Sequence, residues 1–311
     1  MITLLGAGGV IGNHLTALLA AQQKPFRLVS RSAHPAPGAT ETMTADLSDR
    51  DQTLRAVAGS SVVVVLAGLK YDRKVWAETW PRIMANTIEA CKRANAKLVF
   101  FDNVYMYGRV EGPMTEETPF NPCSVKGEIR AQIATTLLNE VKAGSLTALI
   151  ARAADFYGPA TATGIPNVLV FDAYAKNQAA SWFVNDQLPH SLTYTPDAAR
   201  GVLTLIESDA AWNQTWHLPT TPNPPTGREL IGQAAEAMHV APKSRVLARP
   251  MIRVYGWFKP VVGELYEMLY QYDSPYLFDS SKFTRAFGFP GTPYAEGIRA
   301  TAESYRGAQR P

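Results

Sequence analysis

Leu5-Gly6-Ala7-Gly8-Gly9-Val10-Ile11-Gly12 is the stretch whose reading decides the fold. Ile2 to Leu5 ahead of it reads as a short buried strand, and Val10 to Gln23 after it reads as a helix. Glycines at 6, 9 and 12 suit a strand–turn–helix junction for three separate reasons. Gly6 lets the chain turn sharply out of the strand, Gly9 lets the backbone approach a bound pyrophosphate, and Gly12 lets the helix pack close to the sheet. The first turn of such a helix offers unpaired N–H groups and the positive end of its dipole, so Val10, Ile11 and Gly12 are candidate phosphate contacts beside Gly6 and Gly9.

Outward from this loop the chain alternates. Phe26 to Ser30 reads as a second strand and Thr40 to Thr44 as a weak third. Asp49 to Ala58 reads as a helix, with Gly59 as its C-cap. Ser61 to Ala67 is a β-branched run, as expected for a strand covered on both faces. A helix over Val75 to Asn95 follows, with Pro81 marking a kink or a first turn. Next come a strand at Lys97 to Phe101, a helix over Lys126 to Lys142 and a strand at Leu146 to Ala151. This pattern predicts an α/β fold, a Rossmann-type doubly wound parallel sheet. Beyond Gly158 short strands (180–184, 214–218) mix with helices (197–207, 227–238), and Met251 to Tyr272 is aromatic-rich and helix-like, broken near Gly256 and Pro260. The expected division is a dinucleotide-binding domain over 1–158, able to recruit later segments such as 180–205, and a smaller α/β substrate lobe over 159–311.

The end of the second strand sets the choice of dinucleotide. A carboxylate there holds the ribose hydroxyls of NAD, whereas this chain has Ser30-Arg31-Ser32, with Arg27 nearby. Arg31 can fork onto a 2′-phosphate and Ser30 can donate to it, which favours NADP over NAD, with NAD still an option.

Further along, Asp46-Leu47, Ala67-Gly68, Asn86, Val104-Tyr105-Met106-Tyr107-Gly108 and Arg152-Ala153-Ala154-Asp155-Phe156-Tyr157-Gly158-Pro159 fall in a specific order. Together with the glycine loop they resemble the extended short-chain dehydrogenase/reductases, the NAD(P)-dependent epimerase/dehydratase-like family. The resemblance spans most of the chain. It implies that Asp46 and Leu47 lie at the adenine, that Ala67 and Gly68 pass the cofactor, and that Asn86 supports the active site. It also implies a homodimer built on the helices at 75–95 and 126–142.

The departures bear on chemistry. The family's reaction needs a Tyr-x-x-x-Lys pair, whose lysine holds the nicotinamide ribose and whose phenol moves a proton. Here Lys126-Gly127-x-x-Arg130 stands in its place, and Asn103 replaces the hydroxyl residue that polarises a substrate carbonyl. Arg130 can still grip a ribose, but it cannot titrate near neutral pH. Lys126 can serve as an acid if desolvation lowers its pKa, Asn103 can donate to an oxyanion, and Tyr105, Tyr107 and Asp102 are further proton-transfer candidates. Two readings follow. One is an NADP-dependent oxidoreductase or epimerase-like enzyme acting on a small carbonyl or hydroxyl substrate. The other is a catalytically silent NADP(H)-binding redox sensor.

Composition narrows the field. Thirty Lys and Arg against 27 Asp and Glu give a net charge of +3 without a basic run, so nothing calls for nucleic acid. The five histidines have no metal-ligand spacing, and no metal is expected. Cys91 and Cys123 suggest neither a disulfide framework nor a zinc site, which fits a reducing, cytoplasmic setting. No leader peptide is read at the start and no membrane partner is expected, since the longest purely apolar run, Val62 to Ala67, is far short of a span. His190 reads as a loop residue with a possible pocket role and His217 as structural. Lys70-Tyr71-Asp72-Arg73 lies where a substrate would enter.

Overall fold

The computed structural model describes residues 1–32 and 35–308. Its elements run β1 (Ile2–Leu5), α1 (Val10–Ala21), β2 (Phe26–Ser30), β3 (Glu41–Thr44), α2 (Arg50–Val57), β4 (Val62–Val65), α3 (Arg73–Ala94), β5 (Lys97–Asp102), β6 (Pro113–Met114), α4 (Val125–Lys142) and β7 (Ala148–Arg152). Then come β8 (Asp155–Tyr157), α5 (Asp172–Ala175), β9 (Ala180–Phe183), β10 (Leu192–Tyr194), α6 (Thr195–Glu207), β11 (Thr215–His217), α7 (Gly227–Met238), β12 (Ser244–Leu247), α8 (Arg249–Phe258), α9 (Pro260–Leu265), β13 (Leu277–Phe278), α10 (Ser281–Phe287) and α11 (Tyr294–Ala308). The chain divides into two compact units. The first is Met1–Gly108, Pro119–Arg152 and Ala198–Trp216; the second is Arg109–Thr118, Ala153–Asp197 and everything from His217 onward.

The first unit is built on a seven-stranded sheet of order β11-β7-β5-β4-β1-β2-β3. The ladders from β3 across to β7 are all parallel. Strands covered on both faces should be largely apolar, and the centres of β1, β4 and β5 are: Leu4, Leu5, Val63, Val64, Leu98, Val99 and Phe100 are all buried. Leu5 registers against Val29 of β2 on one side and Val65 of β4 on the other. The chain runs outward from β1 through β2 to β3, then returns past β1 to β4. That reversal opens a crevice at the carboxyl end of β1, where ligands of such sheets bind.

Most expected elements form within a residue or two, and the differences have local causes. The expected strand 61–67 ends at Val65: the Leu66 N–H still donates to the Leu5 carbonyl at 2.8 Å, but Ala67 leaves the ladder to pass over Gly6. The third helix starts at Arg73, two residues early, because the Asp72 carboxylate accepts from the Lys74 and Val75 N–H groups. Pro81 neither ends nor opens this helix but lies inside it, where it withdraws a donor from the Ala77 carbonyl. Asn95, in the left-handed conformation, stops it.

In the second unit three short parallel pairs, β8–β10, β9–β12 and β6–β13, surround a core that includes Tyr157, Phe171, Trp182, Leu230, Ile231, Leu269 and Ile298. The expected break near Gly256 does not occur. Helix α8 runs through it and ends at Phe258, with Lys259 in extended backbone ahead of Pro260. Gly256 serves the turn differently: a Cβ there would meet the Gly263 Cα at 2.9 Å, so two glycines let α8 and α9 touch.

Candidate functional site

At the carboxyl ends of β1, β2, β3 and β4 lies a groove of about 530 Å³. Its walls include Gly6, Ala7, Gly9, Ser30, Arg31, Asp46, Leu47, Ala67, Gly68 and Lys70. Eight expected cofactor residues thus come together: Gly6, Gly9, Ser30, Arg31, Asp46, Leu47, Ala67 and Gly68. Val10, Ile11 and Gly12 form the first turn of α1, directly after Gly9 on the groove wall. Sequence reasoning missed Val75, Thr79 and Ile83 of α3, which complete the wall. Their spacing of four places them on one helix face, a signal that was available.

The three glycines do different work. A Cβ on Gly6 would lie 2.4 Å from the Ala67 Cα, and the residue has φ +91, so both space and backbone demand glycine. Gly9 has ordinary extended backbone, φ −77 and ψ 163, and a Cβ there would meet nothing within 4 Å. Its missing side chain leaves room in the groove and is not required by the fold. At Gly12 a Cβ would touch Leu66 Cδ1 at an ordinary 3.7 Å, so the contact between helix and sheet there has room for a methyl group. Helix α1 has no side-chain cap and no acidic residue in its first turn, whereas α2, α3, α4 and α7 are capped by Asp49, Asp72, Ser124 and Thr226. An uncapped helix start facing open space, beneath a residue without a side chain, fits a diphosphate.

Arg31 is exposed on the groove rim. Ser30 turns its hydroxyl to the Ser32 carbonyl, which shapes the rim. Arg27 is not part of this end. It is buried, with Nε on the Glu41 carboxylate at 2.7 Å and Nη1 on the Ala56 and Ala58 carbonyls at 2.7 and 2.8 Å, so it ties β2 to β3 and to the end of α2. Asp46 accepts from the Ser48 N–H and hydroxyl at 2.9 and 2.8 Å, closing a turn at the groove wall. Asn86 does not reach the groove. Its Nδ2 donates to the Leu47 carbonyl at 3.0 Å and braces that wall from α3.

The candidate catalytic residues form a second constellation around Asp102 at the end of β5. Asp102 is buried and accepts from the Asn103 N–H at 2.9 Å, from Arg130 at 3.3 Å and from Arg152 at 3.4 Å. Burial pushes its carboxyl pKa up, and the two guanidinium groups oppose that push. Arg130 is drawn inward, its guanidinium 4.2 Å from the Trp80 ring centre and 5.0 Å from Trp76, and burial lowers its pKa. It is not among the residues that line the groove beside β1. Arg152 donates to the Tyr107 hydroxyl at 2.8 Å, making Tyr107 a buried packing residue. Lys126, far from being solvated, is wholly buried, with its ammonium 4.5 Å from the Tyr71 ring centre. Tyr105 stacks on Trp76 at 6.3 Å and its N–H donates to Asn103 Oδ1 at 3.0 Å, leaving the amide nitrogen as the donor end of Asn103. Gly127 permits this assembly, since a Cβ there would meet the Tyr105 carbonyl oxygen at 2.6 Å.

The second unit carries a cluster that sequence reasoning undervalued. His190 is buried between the Tyr272 and Tyr276 rings, at 4.6 and 4.4 Å, and its Nε2 lies 2.9 Å from Asp155 Oδ2. The Tyr272 hydroxyl donates to the same oxygen at 2.9 Å. An ionisable carboxylate at Asp155, in the turn before Tyr157, was the available signal. His217 is buried against Phe278, its Nδ1 2.8 Å from the Asp279 carbonyl. Among the described residues no group of three His, Cys, Asp or Glu side chains could hold a metal, and no helix is long and apolar enough to cross a membrane.

A doubly wound parallel sheet with a glycine-edged crevice at its switch point defines a Rossmann-type α/β protein. More narrowly, the NAD dependent epimerase/dehydratase family matches residues 2–216, and the chain belongs to that family of oxidoreductases. It is 25% identical over 280 residues to the 3-diazoavenalumate denitrifying reductase of a Streptomyces species, an alignment covering 83% of this chain and 88% of that one. The fold matches the Thermus thermophilus UDP-glucose 4-epimerase in complex with NAD (TM-score 0.80, 20% identity, 99% of each chain). It also matches the dTDP-glucose 4,6-dehydratase of Streptomyces venezuelae with NAD and TYD bound (TM-score 0.78, 18% identity, 98% of this chain and 97% of that one).

Proposed function

We propose that this chain binds NADP(H) in the groove beside β1 and acts as an oxidoreductase on a small carbonyl or hydroxyl substrate. The observation that carries the reading is the uncapped start of α1 with open space above Gly9, faced by Arg31 where an NAD-selective chain would present a carboxylate. A bound nicotinamide supplies or accepts the hydride. The chain's own residues do the rest. The first-turn N–H groups of α1 hold the diphosphate, and Arg31 forks onto the 2′-phosphate. Asp46 and Leu47 frame the adenine, and Ala67 and Gly68 keep the passage narrow. Asn103 donates from its amide nitrogen to a developing oxyanion, while Lys126 or Tyr105 moves the proton.

The missing phenol also bears on substrate. An acceptor that is already electron-poor, or that expels a leaving group, takes hydride without a proton at its heteroatom, and the Streptomyces relative is named as a reductase of a diazo compound. A reductive direction is therefore favoured. The silent redox sensor is the second reading, supported by Arg130, whose inward pairing with Asp102 takes away one cation the family's chemistry uses. A cytoplasmic homodimer built on α3 and α4 belongs to the proposal as well.

Calorimetric titration with NADPH and NADH tests the binding: NADPH should bind more tightly, and Arg31→Asp should weaken it by about tenfold or more through loss of a charge-assisted contact. No heat with either nucleotide would overturn the reading. Screening carbonyl and diazo compounds for NADPH oxidation separates enzyme from sensor.

A further inference from the structure

Helix α8 carries a surface that the proposed oxidoreductase site does not use. Met251, Val254, Tyr255 and Phe258 recur at helical spacing on its outer face, and all are exposed. Trp257 and Val261 extend the apolar surface to the α8–α9 turn, with Trp257 76% and Phe258 74% accessible. The inner side is accounted for, since Ile252 is buried and Gly256 abuts Gly263.

Charge identifies what covers this face. Residues 240–263 hold five of the chain's 30 basic residues and none of its 27 acidic ones, so the rest of the chain is net −2 although the whole is +3. Arg249 is spoken for by Asp273. Among the described residues Lys243, Arg253 and Lys259 make no ion pair. A symmetric contact with a second copy would set these cations against themselves. An anionic bilayer surface neutralises them while Trp257 and Phe258 enter the headgroup zone, where aromatic rings are favoured.

We propose that the α8–α9 hairpin docks the protein onto an anionic lipid surface. Helix α8 has ten residues, about 15 Å, so it lies in one interface and does not cross. This revises the expectation of no membrane partner, without adding a span.

Vesicles of phosphatidylcholine, alone or mixed with phosphatidylglycerol, test the idea with the full chain by co-sedimentation and tryptophan emission. The other five tryptophans are buried, so a blue shift reports Trp257. The proposal expects pelleting and a blue shift with the anionic vesicles only, both weakened by salt. Arg253→Glu with Lys259→Glu should cut partitioning by about tenfold or more. Trp257→Ser with Phe258→Ser should abolish it, with thermal melting unchanged. Three results would overturn it: no shift and no pelleting, binding indifferent to the Trp257 and Phe258 changes, or a dimer that these changes convert to monomer without any vesicle affinity, which would mean a protein covers the face.

Discussion

One added carbon at Gly6 would sit 2.4 Å from the Ala67 Cα on a backbone that already excludes L side chains. Gly6→Ala should therefore cost about 3 kcal/mol or more in denaturant titration. Gly9→Ala makes no clash and should change stability by at most about 1 kcal/mol, yet it puts a methyl group where the diphosphate is proposed to lie. Loss of nucleotide affinity with the fold intact is the expected outcome, and unchanged affinity would remove the groove from the proposal. At Asp102 the stakes are structural: Asp102→Asn leaves two buried guanidinium groups facing a neutral partner and should destabilise by about 3–5 kcal/mol. Burial pushes the Cys91 thiol up to about 12, so native protein should yield one fast thiol in a disulfide-exchange assay, the exposed Cys123. The glycine loop was legible residue by residue because its chemistry is local. The fate of Arg130 was not, because an arginine four residues after Lys126 reads the same whether it faces a ribose or Trp80 and Asp102.

Helix α3 shows how an element carries two tasks on adjoining faces. Val75, Thr79 and Ile83 line the groove, while Trp76 and Trp80 receive Arg130 one residue further round. Apolar periodicity made the helix visible in the sequence, but not which face met which ligand. The strand limits were legible too, except where Ala67 had to leave the ladder for Gly6. In the second unit, Asp273 anchors the start of α8 by pairing with Arg109 at 2.6 Å and with Arg249. Burial pushes its carboxyl up, but the hydrogen bonds from both arginines outweigh that and hold it below its ordinary 3.8. A lowered carboxyl pKa means stability present above the unfolded value and lost as pH falls through the folded one. Asp273→Asn should thus cost about 1 kcal/mol near neutrality, with wild type and variant converging in acid below pH 3.8; a constant gap would refute the assignment.

On the scale of the whole molecule, the alternation of strands and helices predicted the sheet and allowed a later segment such as 180–205 to join the first unit, but it did not single out 198–216, the stretch that clusters there. A strand of three residues, β11, carries too little pattern, and its place beside β7 is fixed only by long-range pairing such as Ile150 N–H to the Gln214 carbonyl at 3.1 Å. A fragment ending at residue 158 lacks both α6 and β11 and should melt broadly where the full chain melts sharply; a sharp calorimetric transition from that fragment would place the boundary back at 158.

The position of β11 sets a timetable for the growing polypeptide. Its last residues leave the ribosome about ten to forty seconds after initiation. Until then the flank of β7 presents unpaired amides and carbonyls to whatever passes, which makes the half-made protein a natural client for chaperones that shield open sheet borders.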